Sequence, residues 1–151
     1  NAKYIYTGRP GDESKIPDYI SGHNQAIFWG WVKPEEKIRN IDIYIEPFPW
    51  GGGDMTFLAL SAGLPYLILK TKEAELFGLY SFVKLISESH SELSKVTEYS
   101  FCSTIEEMRD KCLNLLSNRP FAKELGQAWQ KTVSEFDVSN KHNDWADFLL
   151  N

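Results

Sequence analysis

The chain is poor in the residues that build metal and covalent chemistry. Its 151 residues include two cysteines and three histidines. Cys102 and Cys112 have no histidine beside them and no metal-ligand spacing, so the sequence offers no metal site, and a reduced pair of thiols is a simpler expectation than a disulfide. His23, His90 and His142 are far apart and are expected at turns or on the surface. Positive charge is also short: 16 basic residues face 21 acidic ones, a net charge of −5. No Lys/Arg run stands out, which argues against a partner with a nucleic-acid backbone. A small phosphorylated ligand stays open, because backbone N–H groups can hold one without a cation.

No apolar run reaches about 18 residues, so no transmembrane helix is expected. No stretch has the features of a signal peptide, and with reduced thiols the expected location is cytoplasmic. Internal repeats and low-complexity segments are missing too. Asn1 and Ala2 read as the remnant of an expression tag, leaving residues 3–151 as one domain cut from a longer enzyme. What is present suits a globular α/β protein: 42% apolar residues, 25% charged and 14% aromatic, with five tryptophans. The polar atoms of buried Trp and Tyr need partners, so some of these rings are expected at a cleft or interface.

Short apolar runs alternate with helical patterns. Tyr4 to Thr7, Ala26 to Trp29, Ile43 to Ile45 and Tyr66 to Leu69 read as strands. Their nearly continuous hydrophobicity is that of strands covered on both faces of a parallel sheet. Tyr99 to Phe101 reads as a last short strand. Pro34-Glu35-Glu36 starts a helix, with Pro in the first turn and acids near the positive end of the dipole. A second helix spans about Met55 to Ala62, closed by Gly63 and Pro65. A third spans about Lys72 to Ser87. Ser103 to Glu107 is a capped helix start, and Ile105, Met108, Cys112, Leu115 and Leu116 follow at helical spacing. Another helix follows Pro120, and Trp145, Phe148 and Leu149 share a helical face in the tail. Alternation of this kind predicts right-handed crossovers and a ligand site at the carboxyl ends of the strands, in the loops after Trp29, Ile45 and Leu69.

The densest signal runs from Asp42 to Pro65: a strand, a proline-bracketed turn, three consecutive glycines, a helix and a second strand. Gly51, Gly52 and Gly53 lack Cβ, so the backbone can approach a ligand and adopt positive φ. The helix that follows points its N-terminus there, and the N–H groups near Asp54, Met55 and Thr56 are expected to be open to a diphosphate, with the Thr56 hydroxyl as a further donor. The plainer alternative is a flexible turn with Asp54 as N-cap. The spacing is neither a dinucleotide fingerprint nor a Walker loop.

This stretch resembles the second domain of GT-B glycosyltransferases, in particular the O-GlcNAc-transferase-like SPINDLY group. Pro47-Phe48-Pro49-Trp50-Gly51-Gly52-Gly53, Ala59-Leu60 and Gly63-Leu64-Pro65 are similar in register to that group's D-P-F-P-Y-G-G-G, A-L and G-V-P elements. Ile27 to Val32 followed by Pro34-Glu35-Glu36 looks like its base-holding strand and loop. The resemblance covers about residues 26–72. It implies an α/β, Rossmann-like three-layer sandwich with a parallel sheet and C-terminal helices. It also implies binding of a nucleoside-diphosphate sugar, such as a UDP-linked one, without a metal. By position, Trp31 and Val32 would face the base, Lys37 would lie beside it, and the three glycines with Asp54, Met55 and Thr56 would cradle the diphosphate. The helix dipole would stabilise the leaving nucleoside diphosphate. The acceptor, a glycan, lipid or protein, would be bound by an N-terminal domain absent from this chain, which alone is expected to be inactive. No catalytic residue is assigned.

Three departures define the alternative, a degenerate non-catalytic binding or interaction module on the same fold. Leu58 stands where the family carries a ribose-binding acid, and Asp54 and Met55 replace two threonines. A weaker third reading is a flavodoxin-like domain for another phosphorylated ligand. Elsewhere, Ser21, Ser61 and Ser81 lack a nucleophile-elbow context. Asp12 and Glu13 read as a solvated turn. Glu46 and Lys70-Thr71-Lys72 end strands at the expected edge, where they are either cleft residues or solvated rim.

Overall fold

The computed structural model describes residues 3–7, 25–30, 32–48, 52–76 and 79–135. They belong to two compact units, residues 1–40 and 41–151, each described by itself; the sequence alone suggests one domain over 3–151. The protein is mixed α/β, and among the described residues the sheets are small and parallel and form no barrel. Among the described residues, no helix is long and apolar enough to cross a membrane.

In the first unit, strands β1 (Tyr4–Tyr6) and β2 (Ala26–Phe28) pair in parallel, Ile5 opposite Ile27. The Tyr6 and Phe28 rings pack 5.2 Å apart. Helix α1 (Pro34–Lys37) opens with its proline and runs into a 3₁₀ turn, Ile38–Asn40, that buries Ile38.

The second unit is built on three parallel strands in the order β3 (Tyr44–Ile45), β4 (Tyr66–Leu69), β5 (Phe101–Cys102). Every residue of the central strand β4 is buried, as a continuous Tyr-Leu-Ile-Leu run requires when both faces are covered. Helix α2 (Asp54–Ser61) joins β3 to β4. It ends where the sequence places its stop. Gly63 takes φ +73°, its N–H donates to the Leu60 carbonyl at 3.0 Å, and the Leu64 N–H reaches back to Ala59 at 3.1 Å. That pair of bonds is a Schellman motif, which needs a residue free to be left-handed.

Within the helix expected over Lys72 to Ser87, the described residues form α3 (Lys72–Leu76) and α4 (Leu79–Glu88). Thr71 starts the first by accepting the Ala74 N–H on its hydroxyl at 3.0 Å. Helix α5 (Ser91–Thr97), followed by a 3₁₀ turn at Glu98–Ser100, is not evident in the sequence. Its polar composition carries little helical periodicity, and only the packing of Thr97 and Ser100 into the core reveals its inner face. Ser100 lies in that 3₁₀ turn rather than in the expected last strand, which is Phe101–Cys102.

Helices α6 (Ile105–Ser117) and α7 (Arg119–Glu135) complete the unit. The Thr104 side chain caps α6 by accepting the Glu107 N–H at 3.1 Å, while Glu107 accepts from the Ser103 N–H at 2.7 Å. Helix α7 buries Leu125, Ala128 and Trp129 against β4 and the other helices. Trp129 is fully buried: its Nε1 donates to the Ser100 hydroxyl at 2.7 Å and its ring meets Tyr66 edge-on at 5.8 Å. This tryptophan serves the core rather than a cleft. The tail residues Trp145, Phe148 and Leu149 lie outside the described residues.

Candidate functional site

Strand β3 ends at Ile45, and the turn at Gly52 and Gly53 that precedes α2 is tied to Glu46. This side chain is 2% exposed. Its Oε1 accepts from the Gly52 N–H. Its Oε2 accepts from the Thr56 hydroxyl at 2.7 Å and from the Tyr66 hydroxyl at 2.7 Å. One carboxylate thus ties together the end of β3, the glycine turn, the first turn of α2 and the start of β4. The backbone holds Glu46 in place: its N–H donates to the Leu67 carbonyl at 2.8 Å and the Tyr44 N–H to Pro65 at 2.9 Å. The Tyr44 and Tyr66 rings stack at 6.0 Å, nearly parallel.

The electrostatics follow from burial, and among the described residues no cation acts on this carboxylate. Desolvation pushes the Glu46 carboxyl above the usual carboxylate range, and the hydrogen bonds from Tyr66, Thr56 and Gly52 offset part of that rise. Burial also pushes the Tyr44 and Tyr66 hydroxyls up, and the neighbouring Glu46 charge adds to it, so both stay neutral donors.

Glycine is required at this loop for two different reasons. At Gly52 a Cβ would strike the Tyr44 hydroxyl and press on Glu46. Gly53 has φ +55° and ψ −124°, the first central position of a type II′ turn, closed by the Met55 N–H on the Gly52 carbonyl at 3.2 Å. Among the described residues, nothing lies within 4 Å of where a Cβ at Gly53 would stand, so this face of the turn is open to them.

Gly52, Gly53, Asp54, Met55 and Thr56 form the turn and the head of α2, and several of their donors are engaged. The Met55 and Thr56 amides donate to the Gly52 and Gly53 carbonyls, at 3.2 and 3.0 Å. The Thr56 side chain is fully buried with its hydroxyl on Glu46, so it does not face a ligand. Asp54 is exposed as the first helical residue; the N-cap is Gly53, so the plain reading of Asp54 as a cap does not hold.

Val32 and Lys37 belong to the first unit and the glycine turn to the second. Val32 is half-buried. The Lys37 ammonium lies 5.5 Å from the Trp29 ring centroid, a cation–π contact on an exposed side chain. Trp31 and Gly51 lie outside the described residues, as do His23, His142, Asp12, Glu13 and Ser21.

The other candidates have structural partners. Lys70 pairs with Glu75 at 3.0 Å on the surface, and His90 Nε2 is 2.9 Å from Glu135. The Ser61 carbonyl accepts from Gln130 at 3.0 Å. Cys102 and Cys112 are free thiols, and burial pushes Cys102 up to about 11, far from the reactive thiolate range. Among the described residues, no group of three or more His, Cys, Asp or Glu could hold a metal ion.

Glu46 is the residue whose importance the sequence understates. One signal points to it, an acid directly after an apolar strand and before proline, but that signal does not tell that Tyr66, twenty positions on, turns its hydroxyl toward the same carboxylate. No protein-family model, curated protein or solved structure matches the chain.

Proposed function

We propose that the chain is the nucleotide-sugar-binding part of a GT-B glycosyltransferase, with the Rossmann-like three-layer architecture of that class. It binds a nucleoside-diphosphate sugar, UDP-linked, for transfer to a glycan, lipid or protein acceptor held by another domain. The observation that carries this reading is the Gly53 turn. It follows the carboxyl end of the parallel strand β3, is open among the described residues on the side where a side chain would stand, and runs directly into the N-terminus of an eight-residue helix. Anions favour such a place, because the helix dipole and the glycine backbone both offer positive potential without a metal. With Gly52 and Thr56 held by Glu46, the diphosphate in this reading lies against Gly53 and Asp54.

One observation favours the second reading, a binding or interaction module without a donor site: the Glu46 carboxylate itself takes the Gly52 N–H and the Thr56 hydroxyl. Calorimetric titration with UDP and UDP-sugars separates the two. Donor binding predicts a saturable heat, lost in Gly53→Val, where a β-branched residue cannot adopt the turn. It also predicts an affinity raised by roughly 3- to 5-fold in Asp54→Asn, which removes a like charge. No heat with any nucleotide sugar would leave the module reading.

A further inference from the structure

Glu46 is a buried acid surrounded by donors, and among the described residues no cation acts on it. The titratable groups that face it are the Tyr44 hydroxyl on its own strand and the Tyr66 hydroxyl on β4. The neutral Thr56 of α2 and the Gly52 amide complete its surroundings. Its two oxygens are not equivalent. Oε1 meets a backbone N–H, which can only donate; Oε2 meets two hydroxyls, either of which can rotate and accept. A proton on this carboxyl therefore belongs on Oε2, where one hydroxyl reverses its bond. Oε1 keeps the Gly52 N–H, but as a neutral acceptor, and a neutral bond has roughly half the strength of a charge-assisted one.

We propose that Glu46 is a positioning residue for the glycine turn: its carboxylate sets where Gly52 and the head of α2 lie, and a proton on it slackens that hold and removes a negative charge from behind the turn. Burial brings the change of state closer to neutrality than for an exposed glutamate. For a diphosphate at the open face of Gly53, a consequence that rests on the donor-binding reading above, the two negative charges oppose each other. Binding then takes up a proton, and affinity rises as pH falls.

The test follows the Gly52 amide resonance without ligand from about pH 4 to pH 8 in the wild type, Glu46→Gln and Tyr66→Phe. Glutamine can turn its carbonyl to Gly52 and its NH₂ to the hydroxyls, so it imitates the protonated acid. The wild-type resonance should titrate with a midpoint above the usual carboxylate range. In Glu46→Gln it should stay near the wild-type acid limit at every pH. In Tyr66→Phe, which removes a donor to the charged form, the midpoint should rise further; that shift decides the matter if the glutamine variant does not fold. A wild-type Gly52 amide that does not titrate, or that titrates alike in Glu46→Gln, overturns the proposal.

UDP-glucose is the ligand probe, because its diphosphate holds its charge over this range. Its affinity should fall several-fold as pH rises in the wild type and stay flat in Glu46→Gln. A titrating Gly52 with no UDP-glucose binding at any pH sinks the donor reading and supports the positioning role. Binding of UDP-glucose with a silent Gly52 does the reverse.

Discussion

Helix α2 begins and ends on a glycine with positive φ, and its two ends are built in opposite ways. At the head, Gly53 faces open space and the turn before it is held by hydrogen bonds to one buried charge. At the tail, Gly63 is covered. Helix α7 crosses it so closely that a Cβ on Gly126 would strike the Gly63 carbonyl, and Gln130 of the same helix donates to Ser61. One end is closed by backbone packing, which has no pH dependence and little tolerance for volume. The other is closed by a titratable group and leaves a face free. Packing suits an end that only has to stay in place; in the donor-binding reading proposed above, the other end needs open surface and is held electrostatically from behind.

The sharpest way to break this contrast is at the crossing. Exchanging a helical glycine for a residue with Cβ normally gains up to about 1 kcal/mol of propensity. At Gly126 the new atom meets backbone that cannot move aside, and overpacking should win. Gly126→Val should lower unfolding free energy by about 3 kcal/mol in urea titration. A neutral or stabilising result would mean that α7 does not lie on the Gly63 turn.

The next effect separates the two glycines by conformation. Asparagine tolerates the left-handed region that a Schellman turn uses, but not the φ and ψ of Gly53. Gly63→Asn should therefore cost less than about 1 kcal/mol, and Gly53→Asn about 1–3 kcal/mol, measured by the same denaturation. Equal costs would erase the distinction between the ends.

The smallest effect is a slope. The Glu46 carboxyl binds its proton more tightly when folded than when unfolded. Its contribution to stability is therefore fully present below the ordinary carboxylate range and is lost as pH rises through the folded-state value. Unfolding free energy of the wild type should fall relative to Glu46→Gln over that window. A difference that is constant with pH, or that runs the other way, would show that the carboxylate is not desolvated.

Local signals were legible where the cause is local. The strand ending at Ile45, the glycines, the stop at Gly63 and Pro65, the buried run of β4 and the Thr104 cap all follow from neighbouring residues. Helix α5 was not legible, because Ser91 to Thr97 has too few apolar positions to show a period. Nor was the outward face of Leu76 at the end of α3, which is 80% exposed although it lies within the helix expected over Lys72 to Ser87. At the candidate site, glycine and helix were readable, but the state of their donors was not. The Thr56 hydroxyl and the Gly52 N–H are open or taken according to where Glu46 and Tyr66 meet.

The sequence by itself determined that short buried strands would alternate with helices, and that a bend free of side chains would precede α2, because dihedral preference and hydrophobic spacing act over a few residues. Only the tertiary structure decided that Glu46 would be a buried hub and that Gly126 would close the far end of α2. Those contacts join positions 6 to 63 residues apart, and no local pattern encodes which distant partner arrives.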